Sequence, residues 1–465
     1  MNTRFLVHTI LAAASLTSFS AAAADLKDVY QRAITNDPVI REAEALRLAA
    51  RESRPQAIGG LLPQINGNAR HNETETSSSG IDVDPPDPAD VVDQDRDGDS
   101  DQWNVELRQS VFSWQNWATL RRASAETAQA EADYAAAQQD LILRTSEAYF
   151  NVLAAQDTLE AATAAHEAIG RQLEQSDKRF EVGLIAVTDV QEAKAAFDQA
   201  TAALIQAKRS LATTQERLRE LTGDTFDELE KPGQDMPLAG PNPASPEDWV
   251  KLAMEQNARL ISSRLAADIA RQDMSFERGG HFPSLDLVVT HGEFESSFDV
   301  STAVNTDPAI DTLATSDSDD TTISLQVTVP IWSSGITQSR VRQAGFRHVA
   351  ARERLERTAR ETERETRDAY LGVNSEVARV QSLRQAVESA MTALQATEAG
   401  YEVGTRTSVD VLEARRRLFE AQTNYARSRY DYLLNVLRLQ LAAGTLDQKG
   451  LTDINALLTE TVRVR

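Results

Sequence analysis

The 465-residue chain contains no cysteine, so it has no disulfide framework, no thiol nucleophile and no thiolate metal site. The same absence rules out lipidation at a processed N-terminus. Its six histidines include no pair spaced to hold a metal from one helix face. There is no Gly-rich phosphate loop and no nucleophile elbow. An enzyme is therefore not expected, nor a cofactor. With 48 Lys and Arg against 71 Asp and Glu the net charge is −23, so the basic footprint that nucleic acid requires is missing. No internal segment approaches the ~20 apolar residues of a membrane helix. Proline is missing between Pro88 and Pro232 and again after Pro330.

The first segment carries an export signal. Arg4 precedes an apolar run from Phe5 to about Leu16, and Ala22-Ala23-Ala24 closes it, which predicts a signal peptide over residues 1–24. An exported chain without apolar helices can enter a membrane integrally only with β-strands.

The rest is a duplication. FEVGLIAVTDVQEAK at 180–194 returns as YEVGTRTSVDVLEAR at 401–415, 221 positions on. Asp28-Val29 answers Asp248-Trp249, Leu62-Pro63 answers Phe282-Pro283, and Gly223 answers Gly444. Each half reads helix, strand, strand, long helix, turn, helix, so architecture is fixed before any motif is considered.

Internal proline breaks helices, so the two proline-free windows are free to be helical. Each is split once, at Gly183 or Gly404. The expected helices run from about Asn116 to Glu181, Thr188 to Thr222, Thr337 to Glu402 and Ser408 to Ala443. Val190, Ala193, Phe197, Ala200, Leu204, Ala207 and Leu211 alternate spacings of three and four, as do Val411, Ala414, Leu418, Ala421 and Tyr425. That seam predicts coiled-coil packing.

Trp103, Val105, Leu107 and Val111 alternate with Asn104, Glu106, Arg108 and Ser110, and Ile323, Leu325, Val327 and Val329 alternate with polar residues. Such period-two runs fit a membrane barrel with a wet lumen. Their partners are about Leu61–Thr76 and Pro283–Phe298, giving four strands per chain. Single-chain barrels begin at about eight strands, so either the sheet packs on helices or several chains share one barrel. Acidic inserts at Ile81–Asp101 and Asp299–Asp320 read as loops. Asp93, Asp95, Asp97, Gly98 and Asp101 follow the spacing of a calcium loop, but Asn104 stands where the bidentate glutamate belongs, so a solvated loop is preferred over a metal site. Two function classes fit these residues: an export duct, or a periplasmic coiled-coil scaffold without a channel.

The segment GYEVGTRTSVDVLEARRRLFEAQ, with LGV upstream and LAAGTL downstream, strongly resembles the TolC family of outer-membrane channel-tunnels. The resemblance covers essentially the whole mature chain. It implies an α+β membrane protein: four strands per chain in a shared 12-stranded trimeric β-barrel, a long coiled-coil α-barrel and a small equatorial domain. On that plan residues 25–58 form the first helix of repeat 1, 59–114 a β-hairpin with an acidic external loop at 77–101, and 115–222 a helical hairpin. An equatorial linker follows at 223–246, then a first helix at 247–279, a β-hairpin at 280–333 with a loop at 299–320, a helical hairpin at 334–443 and an equatorial segment at 444–465. The implied role is the exit duct of a tripartite efflux pump or type I secretion system. Its implied partners are two further copies of the chain, a periplasmic adaptor, an inner-membrane transporter and outer-membrane lipid.

The resemblance also carries site residues. A periplasmic latch falls on Thr188, Asp189, Tyr401 and Arg406, with Asp189 accepting from Tyr401 within a chain and from Arg406 of the next. Locally, Thr188 with Gln191 and Thr407 with Asp410 also stand in capping-box register. Asp410 and Glu413 match an acidic ring at the entrance, where two aspartates are usual. Val182-Gly183-Leu184 and Val403-Gly404-Thr405 match the hairpin tips on which adaptors dock.

Overall fold

The computed structural model describes residues 23–82, 90–233, 235–305 and 307–464, so most of the export signal and residues 83–89 of the first acidic insert lie outside the described residues. In chain order the first half holds α1 (Leu26–Asn36), α2 (Pro38–Arg51), α3 (Ser53–Gly59), β1 (Gln64–Asp82), β2 (Asp90–Phe112), α4 (Trp114–Glu181), α5 (Val187–Thr222) and β3 (Glu228–Pro232). The second half holds α6 (Pro246–Gln256), α7 (Ala258–Gly279), β4 (Ser284–Val304), β5 (Ile310–Thr328), α8 (Ile336–Glu402), α9 (Ser408–Ala443), α10 (Gln448–Asn455) and β6 (Leu458–Arg463).

The duplication recurs in three dimensions down to the caps. The Asp25 carboxylate accepts from the Asp28 amide at 2.7 Å to start α1, and the Ser245 hydroxyl accepts from Asp248 at 3.4 Å to start α6. The 36-residue helices α5 and α9 both stop at a glycine with φ of 75°, Gly223 and Gly444. α4 runs 68 residues and α8 67, each within a proline-free window. Among the described residues no helix is long and apolar enough to cross a membrane.

Two compact units emerge. One comprises the described residues up to Ala43, those of Ala135–Ala258 and those from Arg360 on. Its core includes Leu26, Leu141, Tyr149, Phe150, Leu433 and Leu437, each no more than 1 % exposed. A small sheet, β3 antiparallel to β6, is fastened to the long helices by buried polar groups. The Tyr149 hydroxyl donates to the Glu230 carbonyl at 2.6 Å and Arg429 to the carbonyls of Pro232 and Gly233 at 2.7 and 2.5 Å, while the Tyr430 hydroxyl ties α9 to α4 through Asp157 at 2.6 Å. Burial raises the Asp157 carboxyl above its ordinary value, against the opposing pull of the Tyr430 hydroxyl and of Lys231.

The other unit, Glu44–Tyr134 with Arg259–Ala359, holds a four-stranded antiparallel sheet of order β1-β2-β4-β5. β1 and β5 are its edges. The strands run further than their composition suggests. Pairing continues from Gln64↔Arg108 to Asp82↔Asp90, and from Ser284↔Thr328 to Thr302↔Ile310. The acidic inserts taken as loops are therefore largely strand. Asp93, Asp95, Asp97, Asp99 and Asp101 form one face of β2, continuing the face that carries Trp103, Val105 and Leu107. Ser79 and Ser77 stand opposite Asp93 and Asp95, His71 stands opposite Asp101, and the Ser77 hydroxyl donates to Asp95. Ladder hydrogen bonds on both sides of β2 outweigh the poor strand propensity of aspartate.

The segment with calcium-loop spacing is likewise strand rather than a turning loop, and alternate residues along it stand about 7 Å apart. Among the described residues no group of three or more His, Asp or Glu is placed to hold a metal. Gly98 has a packing reason instead. A Cβ there would lie 2.4 Å from Phe298, whose ring carries the Arg96 guanidinium 4.2 Å above it.

Gly404 and Gly444 both sit at positive φ, but their surroundings differ. A Cβ on Gly404 meets open space, whereas one on Gly444 would lie 2.4 Å from the Gln256 carbonyl oxygen. Gly404→Ala should cost ~1–2 kcal/mol for the left-handed backbone. Gly444→Ala adds overpacking and should cost ~3 kcal/mol or more. Thermal unfolding followed by circular dichroism in detergent checks the order.

Candidate functional site

The two long hairpins turn by the same device. The Gly183 amide donates to the Phe180 carbonyl and the Leu184 amide to Arg179, both at 2.8 Å. In the second repeat Gly404 donates to Tyr401 at 3.2 Å and Thr405 to Gly400 at 2.8 Å. This paired 5→2 and 6→1 pattern needs a left-handed residue after the helix, and Gly183 and Gly404 supply it with φ of 76° and 81°. Val182, Leu184 and Val403 are left 69 %, 72 % and 75 % exposed, an apolar display at each tip.

The helices that leave the tips start differently. Thr407 caps α9: its hydroxyl accepts from the Asp410 amide at 3.2 Å, and its own amide donates to the Asp410 carboxylate at 2.9 Å. Those donors hold the Asp410 carboxyl below its ordinary value. In the first repeat the capping position is Ala186, with no side chain to offer, and Asp189 accepts from the Ala186 amide at 3.4 Å. The expected Thr188–Gln191 box is therefore corrected: α5 begins at Val187, which puts Thr188 inside the first turn.

Tyr401 and Asp189 are not bonded within the chain. The Tyr401 hydroxyl is buried without a hydrogen-bond partner, and the Arg179 guanidinium lies 4.7 Å over its ring. Asp189 turns instead to its own helix start. Arg406 lays its aliphatic stem over Gly400, where a Cβ would meet the Arg406 Cγ at 2.8 Å. Among the described residues no carboxylate oxygen lies within 4 Å of the Arg406 guanidinium. Asp410 and Glu413 share a face of α9 without bonding to one another. Glu413 accepts from Arg416 through both oxygens at 3.0 Å.

The tip interior is polar and poorly satisfied. Ser176 and Ser408 are 0 % and 4 % exposed, and neither hydroxyl has a partner. Arg415 bridges α9 to α8 through Glu398 at 2.6 Å. Arg179, Glu398 and Arg416 were missed from sequence. The signal for Arg179 was a break in the repeat, since residue 179 answers Gly400 and Phe180 answers Tyr401.

The profile of the outer membrane efflux protein family matches residues 29–224 and again 249–445, two matches offset as the repeat is. The chain belongs to that family. It is 38 % identical over 449 residues to the outer membrane protein TolC of Vibrio cholerae, covering 96 % of this chain and 97 % of the relative. It is 29 % identical to the alkaline protease secretion protein AprF of Pseudomonas aeruginosa, covering 93 % and 86 %. The crystal structure of the outer membrane protein VceC from Vibrio cholerae superposes with a TM-score of 0.72 at 23 % identity, over 90 % of this chain and 96 % of that one. The fold is the duplicated α+β fold of TolC-type channels. The protein is accordingly an outer-membrane channel extending into the periplasm, an exit duct for efflux and type I secretion rather than an enzyme. Channels of this type are homotrimers that work with adaptors and inner-membrane transporters.

The cap of α9 titrates. A carboxylate whose pKa is lowered in the fold stabilises it above the unfolded value of ~3.9, and that stabilisation is lost as pH falls through the lowered folded value. Asp410→Ala should therefore speed amide exchange in the first turn of α9 at pH 7. The gap to the parent should shrink near pH 3. Hydrogen exchange read by mass spectrometry at both pH values tests this.

Proposed function

We propose that three copies of this chain close one barrel in the outer membrane and form a duct whose periplasmic mouth is gated at the hairpin tips. The observation that carries the reading is the pair of open sheet edges. β1 and β5 each present a 19-residue row of backbone groups without a partner on one side. In hydrocarbon each unpaired group costs several kcal/mol, so the edge of one copy must meet the edge of the next. Three copies bring twelve strands. The acidic halves of the strands stay hydrated outside the membrane, because directly opposed carboxylates such as Glu75, Asp97 and Asp299 repel in any dry setting.

Within that assembly the latch joins neighbouring chains. Arg406 has a free guanidinium and Asp189 has lone pairs to spare, and a charge-assisted bond between one chain's Arg406 and the next chain's Asp189 holds strongly yet breaks without unfolding anything. Tyr401 is positioned beside it by Arg179, and Thr188 lines the same turn. Asp410 and Glu413 form the ring inside the mouth. The exposed tips Val182-Gly183-Leu184 and Val403-Gly404-Thr405 offer an apolar surface to a periplasmic adaptor, which links the duct to an inner-membrane transporter.

Purified in detergent, the protein should run as a trimer and conduct in planar bilayers. Arg406→Ser should raise single-channel conductance severalfold, and adding Tyr401→Phe should raise it further. A folded, strand-rich monomer would sink the shared barrel. Unchanged conductance in both variants would sink the latch alone.

A further inference from the structure

The two repeats diverge at one place that bears on transport. Asp189-Val-Gln-Glu192 in α5 answers Asp410-Val-Leu-Glu413 in α9, so both helices begin with the same acidic pair. Three and four residues further on, α5 has Ala195 and Ala196, whereas α9 has Arg416 and Arg417. The guanidiniums are thus an addition to one copy of a repeated acidic helix start.

Their geometry ties them to the acidic pair. Arg416 Nη2 donates to both Glu413 oxygens at 3.0 Å, and its Nη1 lies 4.0 Å from Glu420. Arg417 Nε lies 4.0 Å from Glu413. At 100° per residue, Asp410, Glu413, Arg417 and Glu420 fall within about one quarter of the helix circumference, with Arg416 at its border. Arg415 is occupied elsewhere, by Glu398. The two carboxylates at the helix start, with Glu420 two turns further on, therefore share one surface with two guanidiniums.

We propose that Arg416 and Arg417 are specificity-determining residues of the duct entrance, where they cancel the field of Asp410 and Glu413 and let anionic solutes pass as readily as cations. This rests on the proposed gate, with the start of α9 lining the mouth. These ion pairs are exposed and add little to stability. Their effect is on the field. Opposite charges within one Debye length, ~8–10 Å at working salt, act on a passing ion together. Six carboxylates in a threefold ring would be a strong trap for multivalent cations; the same six with six guanidiniums beside them, which Glu420 offsets only in part, are a much weaker one. A cation approaching Glu413 must first displace Arg416.

The test is the reversal potential of purified channels in a potassium chloride gradient, with hexamminecobalt block from the periplasmic side. The parent should be nearly unselective and weakly blocked. Arg416→Gln with Arg417→Gln should turn it cation-selective and tighten block roughly tenfold, as six unit charges within a Debye length are removed. Arg416→Lys with Arg417→Lys should keep the parent's behaviour, and Glu413→Gln should shift selectivity toward chloride. A parent already strongly cation-selective, or glutamine variants with its reversal potential and block, would overturn the proposal while leaving the duct intact. Failure of the parent to conduct at all would overturn the duct reading itself.

Discussion

Everything in this molecule answers to one constraint: a backbone amide or carbonyl in hydrocarbon must find its partner within protein. The chain brings four strands, and antiparallel pairing satisfies the inner faces of all of them. The outer edges of β1 and β5 stay open. Four strands are too few to curl shut, so the sheet is incomplete without further copies. Multiplication of the chain then fixes the rest, because each copy brings two helical hairpins with its four strands. The duplication matters here: it supplies two strand pairs and two hairpins from one folding unit, with the same capped starts and glycine stops.

Within the periplasmic hairpins, polar contacts tie the long helices to one another and to the small sheet: Tyr149 to Glu230, Tyr430 to Asp157, Arg429 to two carbonyls. Buried side-chain atoms without a partner occur at both levels, on Thr145 and Gln156 near those contacts and on Ser176, Ser408 and Tyr401 at the tips. An unmatched buried polar group costs ~1–3 kcal/mol, whereas a matched one is close to neutral or favourable.

Divergence between the repeats marks where the two hairpins do different work. Gly223 and Gly444 remain equivalent because each must end a helix. Arg179 against Gly400, Ala186 against Thr407 and Ala195 against Arg416 differ, and all three lie at the tips. One hairpin contributes the cation that stacks on Tyr401. The other contributes the capped helix and the guanidiniums beside Glu413.

The sequence by itself determined the repeat, the four long helices and the four strands of the larger sheet, though not the small β3–β6 sheet, because those depend on local rules: proline breaks helices, glycine permits a left-handed turn, and alternation marks a half-buried strand. The helix ends fell within two residues of bounds set by Gly183, Gly223, Gly404 and Gly444. Only tertiary structure decided where the strands end. Asp93–Asp101 reads as loop by composition, and becomes strand because β1 and β4 pair with it from both sides, an interaction invisible to local propensity. It also decided what Tyr401 touches. Motif placed it opposite Asp189, but the partner of a half-buried ring depends on which helix packs over it, and α4 brings Arg179. Side-chain pairing across elements belongs to the fold, and no reading of spacing along one helix supplies it.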